Sequence, residues 1–227
     1  SGWTAAVASL VRLAEGVDNH HPGPVHLNIQ FPEPLVPSAE AGSEPSVARA
    51  AAGTEPPLEP AEDIVDLPLG PRTVQVCGDT APAGGAAART FDDTPRLPLI
   101  AEPSSGARSG PNALRCGRLL LGTSLADRVE RVVMFGHPTL SRPVNRLLTR
   151  EDVELIVVGR GPRRPNPGHR ASRFAAGVRQ SPGPVRWLGE WLRADRATGE
   201  RVDALLAGLD YPSGPAVAAA VLATGDG

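Results

Sequence analysis

The chain contains no lysine, so all 23 of its basic residues are arginine. They are scattered among 25 acidic residues for a formal net charge of −2, which leaves no basic face to neutralise a phosphate backbone. A nucleic-acid partner is therefore not expected. Cysteine is almost as scarce. Cys77 and Cys116 lie far apart, without the paired spacing of a metal site, and no secretory leader precedes them, so a reducing, cytoplasmic compartment is expected. Nor does any apolar run approach the ~18 residues that a membrane-spanning helix needs. The most apolar helix candidate, around Leu119 to Leu125, is far too short.

What is present suffices for a core. At 227 residues and 41% apolar content, the chain has room for one full domain and part of another. Glycine and proline number 25 each and are unevenly spread, which marks some of the length as linker. Both ends read as cut: Ser1-Gly2-Trp3 runs straight into a helical pattern without an initiator Met, and Gly227 follows directly on another, Pro215 to Leu222. A segment of a longer polypeptide is expected.

Between Trp3 and Glu15 apolar residues fall at Val7, Leu10, Val11 and Ala14, a helical spacing closed by Gly16. Pro22-Gly23-Pro24 then makes a turn, and Val25 to Ile29 alternates with the period of a strand. Together they read as the last helix and strand of an upstream domain, residues 1–37, since Phe31 to Pro37 leaves as an extended, proline-rich segment. Residues 38–68 read as a linker, aperiodic and rich in Ala, Glu, Gly, Ser and Pro up to Pro60. From 69 to 210 strands and helices alternate. The strands are Arg72 to Cys77, Leu97 to Ala101, Arg131 to Phe135 and Val153 to Val158; the helix candidates are Asn112 to Arg128, Arg142 to Leu148 and Val185 to Leu209. Continuous apolar strands separated by helices predict a doubly wound, mostly parallel α/β sheet, with ligands expected at the carboxyl ends of its strands. Trp187 and Trp191, four apart, share a helix face and read as core or interface packing.

Two stretches carry a family likeness. Gly23-Pro24-Val25-His26-Leu27-Asn28-Ile29-Gln30-Phe31-Pro32-Glu33-Pro34-Leu35 resembles the strand and exit loop that close the pyrimidine-binding domain of the 2-succinyl-5-enolpyruvyl-6-hydroxy-3-cyclohexene-1-carboxylate synthases of menaquinone synthesis. The second, Gly136-His137-Pro138-Thr139-Leu140-Ser141-Arg142-Pro143-Val144, with Ala101-Glu102-Pro103 and Ala107-Arg108-Ser109-Gly110 before it, resembles the central domain of the actinobacterial branch. The resemblance covers nearly the whole chain and is faint in the linker and around Arg160 to Val178. It implies an end of the pyrimidine-binding domain, a whole central domain, and, in 211–227, the start of a diphosphate-binding domain. It implies thiamine diphosphate with magnesium or manganese in the full-length enzyme, which decarboxylates 2-oxoglutarate and adds the product carbanion to isochorismate. The ligands for cofactor and metal are expected outside these residues, so no catalytic residue and no metal site is expected within them, and residues 1–227 alone should be inactive. A homodimer or homotetramer is implied as well.

Both substrates are dicarboxylates, which arginine binds through paired hydrogen bonds. Arg142, with Thr139 and Ser141, follows the third strand where a helix begins, and it resembles the family's basic residue that reaches the isochorismate site. The helix amino terminus would favour an anion there. The plainer reading has Ser141 capping that helix, with Arg142 solvated. Arg108, in a Gly- and Ser-rich loop on the same edge, and His137 are candidates for an acidic effector, a feedback role for a downstream naphthoate that the resemblance suggests. His137 stands where the resembling enzymes usually carry Arg, and it is mostly neutral at pH 7, which weakens that site. The cluster His20, His21 and His26 lacks a fourth ligand for a metal. Gly225-Asp226-Gly227 mimics the start of the thiamine enzymes' metal motif but follows Pro215 to Leu222 too soon. Arg160, Arg163, Arg164, Arg170 and Arg173 read as a solvated loop. Two rival readings stay open: a non-catalytic α/β module that binds a small acidic effector, and the central domain of another thiamine enzyme such as acetolactate synthase. The absence of a G-x-G-x-x-G fingerprint speaks against a flavin nucleotide.

Overall fold

The computed structural model describes residues 2–17, 22–29, 64–93, 96–159, 164–180, 185–209 and 213–224. Most of the expected linker, His20, His21, Arg160, Arg163 and Gly225-Asp226-Gly227 lie outside the described residues.

Five parallel strands form the central sheet: β2 (Thr73–Cys77), β3 (Leu99–Ala101), β4 (Arg131–Phe135), β5 (Glu154–Val158) and β6 (Ala171–Ala175). Their spatial order is β3-β2-β4-β5-β6. The chain steps from β2 to one neighbour and then returns to the other, so the direction of winding reverses at β2 and β4. In such sheets the crevice at that reversal is the habitual ligand position. A second, two-stranded sheet pairs β1 (Val65–Leu67) in parallel with β7 (Val178–Gln180). β1 thus lies within the segment that composition marks as linker.

β2 and β4 are buried at every position, as strands covered on both faces must be. Alternation divides the core. Val74, Val76, Val132, Met134, Leu155 and Val157 face one layer of side chains, and Cys77, Val133, Phe135, Ile156 and Val158 face the other. On the first face lie α5 (Arg142–Leu148), which contributes Val144, Leu147 and Leu148, and α6 (Val185–Ala207), which contributes Trp187 and Trp191. The spacing of those α5 residues, i, i+3 and i+4, is that of a helix with one apolar face. The two tryptophans meet edge to face with ring centroids 5.7 Å apart, and the Trp187 indole N–H donates to the Thr73 carbonyl at 2.8 Å. They are core, and Arg128 covers Trp187 from outside with its guanidinium 5.2 Å from the ring centre. The second face is covered by α2 (Pro82–Asp93), whose Ala88 is fully buried and whose carbonyl there accepts from the Gln75 side chain at 2.7 Å.

The remaining helices are α1 (Gly2–Glu15), the single turns α3 (Gly117–Leu120) and α4 (Ser124–Asp127), and α7 (Gly214–Thr224). Among the described residues no helix is long and apolar enough to cross a membrane.

Three local expectations need correction. Asn112 to Arg128 is not one helix. The Arg115 and Cys116 amides donate to the Asp195 carboxylate at 3.0 and 2.7 Å instead of to helical carbonyls, and Gly122-Thr123 then stops α3 and caps α4 through the Thr123 hydroxyl. Val25 to Ile29 is exposed and pairs with no strand among the described residues, because alternation supplies a face but not a neighbour. The arginine-rich stretch is not all loop, since Arg173 lies in β6, an edge strand whose register against β5 is interrupted between Leu155 and Ile156. α2, for which the sequence reading offered no element, is helical although two glycines, Gly84 and Gly85, lower its intrinsic propensity.

The tryptophan pair should dominate the stability of the first face. Trp191→Ala is expected to cost about 3–5 kcal/mol in urea denaturation. Trp187→Phe, which keeps the ring contact but loses the bond to Thr73, should cost about 1 kcal/mol. A wild-type midpoint for Trp191→Ala would show that the pair is not part of the core.

Candidate functional site

At the carboxyl edge the loops after β2 and β4 touch backbone to backbone. The Gly78 amide donates to the Phe135 carbonyl at 2.9 Å, and Asp79 and His137 exchange amide-to-carbonyl bonds of 3.1 and 2.8 Å. Glycine is required on both sides of this contact. A Cβ on Gly78 would lie 2.1 Å from the Pro138 nitrogen, and Gly136, at φ +65°, would place one 2.5 Å from the Asp79 carbonyl oxygen.

The β4–α5 loop is also held from the side of β3. Glu102, the residue after that strand, is only 5% exposed, and its two carboxylate oxygens accept from the Thr139 amide at 3.0 Å and the Leu140 amide at 2.8 Å. Burial of a carboxylate is tolerable only with such donors.

Ser141 and Arg142 follow at once. Ser141 occupies the N-cap position of α5, but its hydroxyl makes no cap bond and is buried without a hydrogen-bond partner. The capping role expected of it is therefore not played, and the helix starts on its carbonyl, which accepts from the Asn145 amide at 3.0 Å. Arg142 opens α5 with Pro143 beside it in the first turn. It is exposed, and among the described residues its guanidinium has no hydrogen-bond or ion-pair partner. Because α5 spans only seven residues, an anion there would depend on this charge far more than on a helix dipole.

Two cavities open on the edge. One, of about 410 Å³, is lined by Glu102, Arg108, Arg118, Leu140 and Ser141 together with the aliphatic floor of Ile100 and Val144. The other, of about 510 Å³, lies over the winding reversal between β2 and β4 and is lined by Asp79, Thr80, His137, Gly159 and Arg164. Arg108 and Ser141 thus share a cavity, His137 belongs to the other, and Arg142 lines neither. The structure does not bring Arg108 and His137 into one pocket.

Sequence reasoning assigned no role to Glu102, to Arg118 or to the Arg115–Asp203 ion pair, whose Nη1–Oδ2 distance is 2.7 Å and which moors the β3–α3 loop to α6. An acidic residue directly after a buried strand, in Ala101-Glu102-Pro103, is the signal that could have found Glu102. Burial pushes the Cys77 thiol up to about 11 and raises that of Cys116 as well, so neither supplies a thiolate nucleophile at neutral pH. Among the described residues no three His, Cys, Asp or Glu side chains are grouped to hold a metal.

No protein-family model matches the chain. Individual relatives do. The 2-succinyl-5-enolpyruvyl-6-hydroxy-3-cyclohexene-1-carboxylate synthase of Kineococcus radiotolerans is 43% identical over 97% of this chain, and the chain covers 40% of that protein. The synthase of the same name from a Nocardioides species is 46% identical over 82% of the chain and 35% of its own length, and that of Mycobacterium marinum is 32% identical over 97% and 39%. The chain thus spans about two fifths of the length of the curated relatives it matches. Identity at this level runs through nearly every described element of an α/β domain whose sheet is wholly parallel, and over this span the chain is homologous to a segment of the 2-succinyl-5-enolpyruvyl-6-hydroxy-3-cyclohexene-1-carboxylate synthases.

Proposed function

We propose that this chain supplies the central domain of a thiamine-diphosphate-dependent synthase that decarboxylates 2-oxoglutarate and adds the resulting carbanion to isochorismate, and that Arg142 reaches the isochorismate site. In this reading residues 1–37 end the pyrimidine-binding domain, 38–68 link it to the central domain at 69–210, and 211–227 begin the diphosphate-binding domain. The cofactor and its magnesium or manganese supply the electronic chemistry from those flanking domains. The contribution of the central domain is a positioned cation, and the protein acts in the cytoplasm as a homodimer or homotetramer.

The observation that carries this reading is the exposed guanidinium of Arg142, without a partner among the described residues, at the end of a loop braced from two sides. Such a group matches a carboxylate bidentately, and its backbone is already fixed, so binding has to order only the side chain. Thr139 and Ser141 contribute the loop that presents it.

A second role is supported by the 410 Å³ cavity, where Arg108 and Arg118 stand beside an aliphatic floor. That combination suits an aromatic acid, and an acidic effector such as a naphthoate would bind there through Arg108. His137, the other effector candidate, lines the neighbouring cavity.

In the full-length protein, Arg142→Ala is expected to raise the KM for isochorismate by about tenfold or more, a loss of roughly 1.4 kcal/mol, while decarboxylation of 2-oxoglutarate continues. Arg142→Lys should fall between the two, and an unchanged KM for Arg142→Ala would remove the central domain from the substrate site. Arg108→Ala should weaken inhibition by a naphthoate at an unaltered KM for both substrates, and equal inhibition of variant and parent would end the effector role. Residues 1–227 alone, given thiamine diphosphate and Mg²⁺, should turn over neither substrate, and turnover would place the cofactor site within them.

A further inference from the structure

The contact between Glu102 and the β4–α5 loop has a geometry that packing alone does not require. Thr139 and Leu140 have consecutive amides, and neither donates to a backbone carbonyl; their acceptors are the two oxygens of one buried carboxylate. That carboxylate is itself held hard. The Glu102 amide donates to the Cys77 carbonyl at 2.9 Å, which extends the β3–β2 ladder by one residue. Its carbonyl accepts from the Ser105 amide at 3.0 Å and from the Ser105 hydroxyl at 2.6 Å. The side chain therefore starts from a fixed backbone, passes the end of β2, and ends on a loop that belongs to the strand on the far side.

The same loop is already fixed at its beginning by the Asp79–His137 pairing. Between His137 and the first helical bond of α5, donated by Asn145 to the Ser141 carbonyl, the amides of Thr139 and Leu140 are the points at which a side chain from elsewhere in the fold takes hold. Arg142 begins two residues later. A displacement at Leu140 is therefore passed to the Arg142 backbone over one intervening residue, with the Ser141 hydroxyl offering no bond to absorb it.

We infer that Glu102 is a positioning residue for Arg142: its carboxylate fixes the 139–141 turn and with it the point on the carboxyl edge from which the Arg142 side chain projects. This rests on the reading of Arg142 as the isochorismate-binding cation. Glu102 touches no substrate in this account and acts only through the loop. It is buried, but its carboxylate ends on the two loop amides. The isosteric change Glu102→Gln keeps the shape but substitutes an amide NH₂ for one acceptor oxygen. That group would face a backbone N–H, donor against donor, and the turn would have to tilt.

The test uses the full-length synthase in four forms: the parent, Glu102→Gln, Arg142→Ala and the double variant. For each, the KM for isochorismate is measured in the complete reaction, and decarboxylation of 2-oxoglutarate is measured with isochorismate omitted. Glu102→Gln should raise the KM for isochorismate by about tenfold and leave decarboxylation within about twofold of the parent, because misplacing one binding group damages one substrate. Glu102→Asp, which keeps the charge but withdraws it by one methylene, should give an intermediate KM and serves as a second variant if the glutamine form folds poorly. The double variant should be no worse than Arg142→Ala alone. A parental KM in Glu102→Gln while Arg142→Ala is impaired overturns the inference and leaves the role of Arg142 standing. So does an equal loss of both activities in Glu102→Gln and Glu102→Asp, which would mark a general structural defect, and so does full additivity in the double variant. A parental KM in Arg142→Ala defeats the reading of Arg142 itself, and a defect in Glu102→Gln alongside it would show that Glu102 does not act through that residue.

Discussion

A parallel sheet delivers all of its strands to the same edge, and that constraint orders everything else in this domain. The loops after β2, β3, β4 and β5 emerge side by side, while the helices that return the chain occupy the faces. Polar groups that must act together can therefore be supplied by segments far apart in sequence. Glu102 and Leu140 are 38 residues apart yet meet at 2.8 Å, because β3 and β4 flank β2. The cost of this arrangement is that adjacent loops crowd one another. The crowding is relieved by glycine at Gly78 and Gly136, and it becomes useful where one loop braces the next.

Electrostatics at this edge follow from burial. A carboxylate sits at 5% exposure because two amides and no competing acid meet it, and the arginines around the neighbouring cavity remain at its rim. Arg115 is neutralised by Asp203, whereas Arg142 is left uncommitted among the described residues. The two arginines thus differ in whether the fold has already given them a partner. Both thiols are buried and raised, so neither is a thiolate at neutral pH.

The parts of the fold legible in the sequence are those written as continuous apolar runs. β4 has the bounds read from the sequence, and β2, β3 and β5 lie within theirs, because burial on both faces demands unbroken hydrophobicity. The amphipathic helices α5 and α6 were legible for a similar reason. β6 was not, since an edge strand with an interrupted register can carry Ser172 and Arg173 outward and resembles loop. The break at Gly122-Thr123 was missed because the heptad-like pattern of leucines continues across it, while tertiary bonds from Asp195 decide the backbone. Residue types suggested arginine for a dicarboxylate, and the structure gives Arg142 as an exposed residue opening α5. The pairing of Arg108 with His137 could not be judged, because which of two adjacent cavities a loop residue enters depends on coordinates that no periodicity encodes.

The two glycines at the winding reversal impose a limit on how this domain can vary. Each backbone is closed off by the other loop, so neither position can accept a side chain unless both loops retreat together, and retreat would break the Asp79–His137 pairing. The side chain of His137 is exposed and meets no such obstacle. An exchange of His137 for arginine leaves the contact beneath it intact, so the chemistry at the mouth of the larger cavity can be revised one residue at a time on a frame that tolerates no stepwise change.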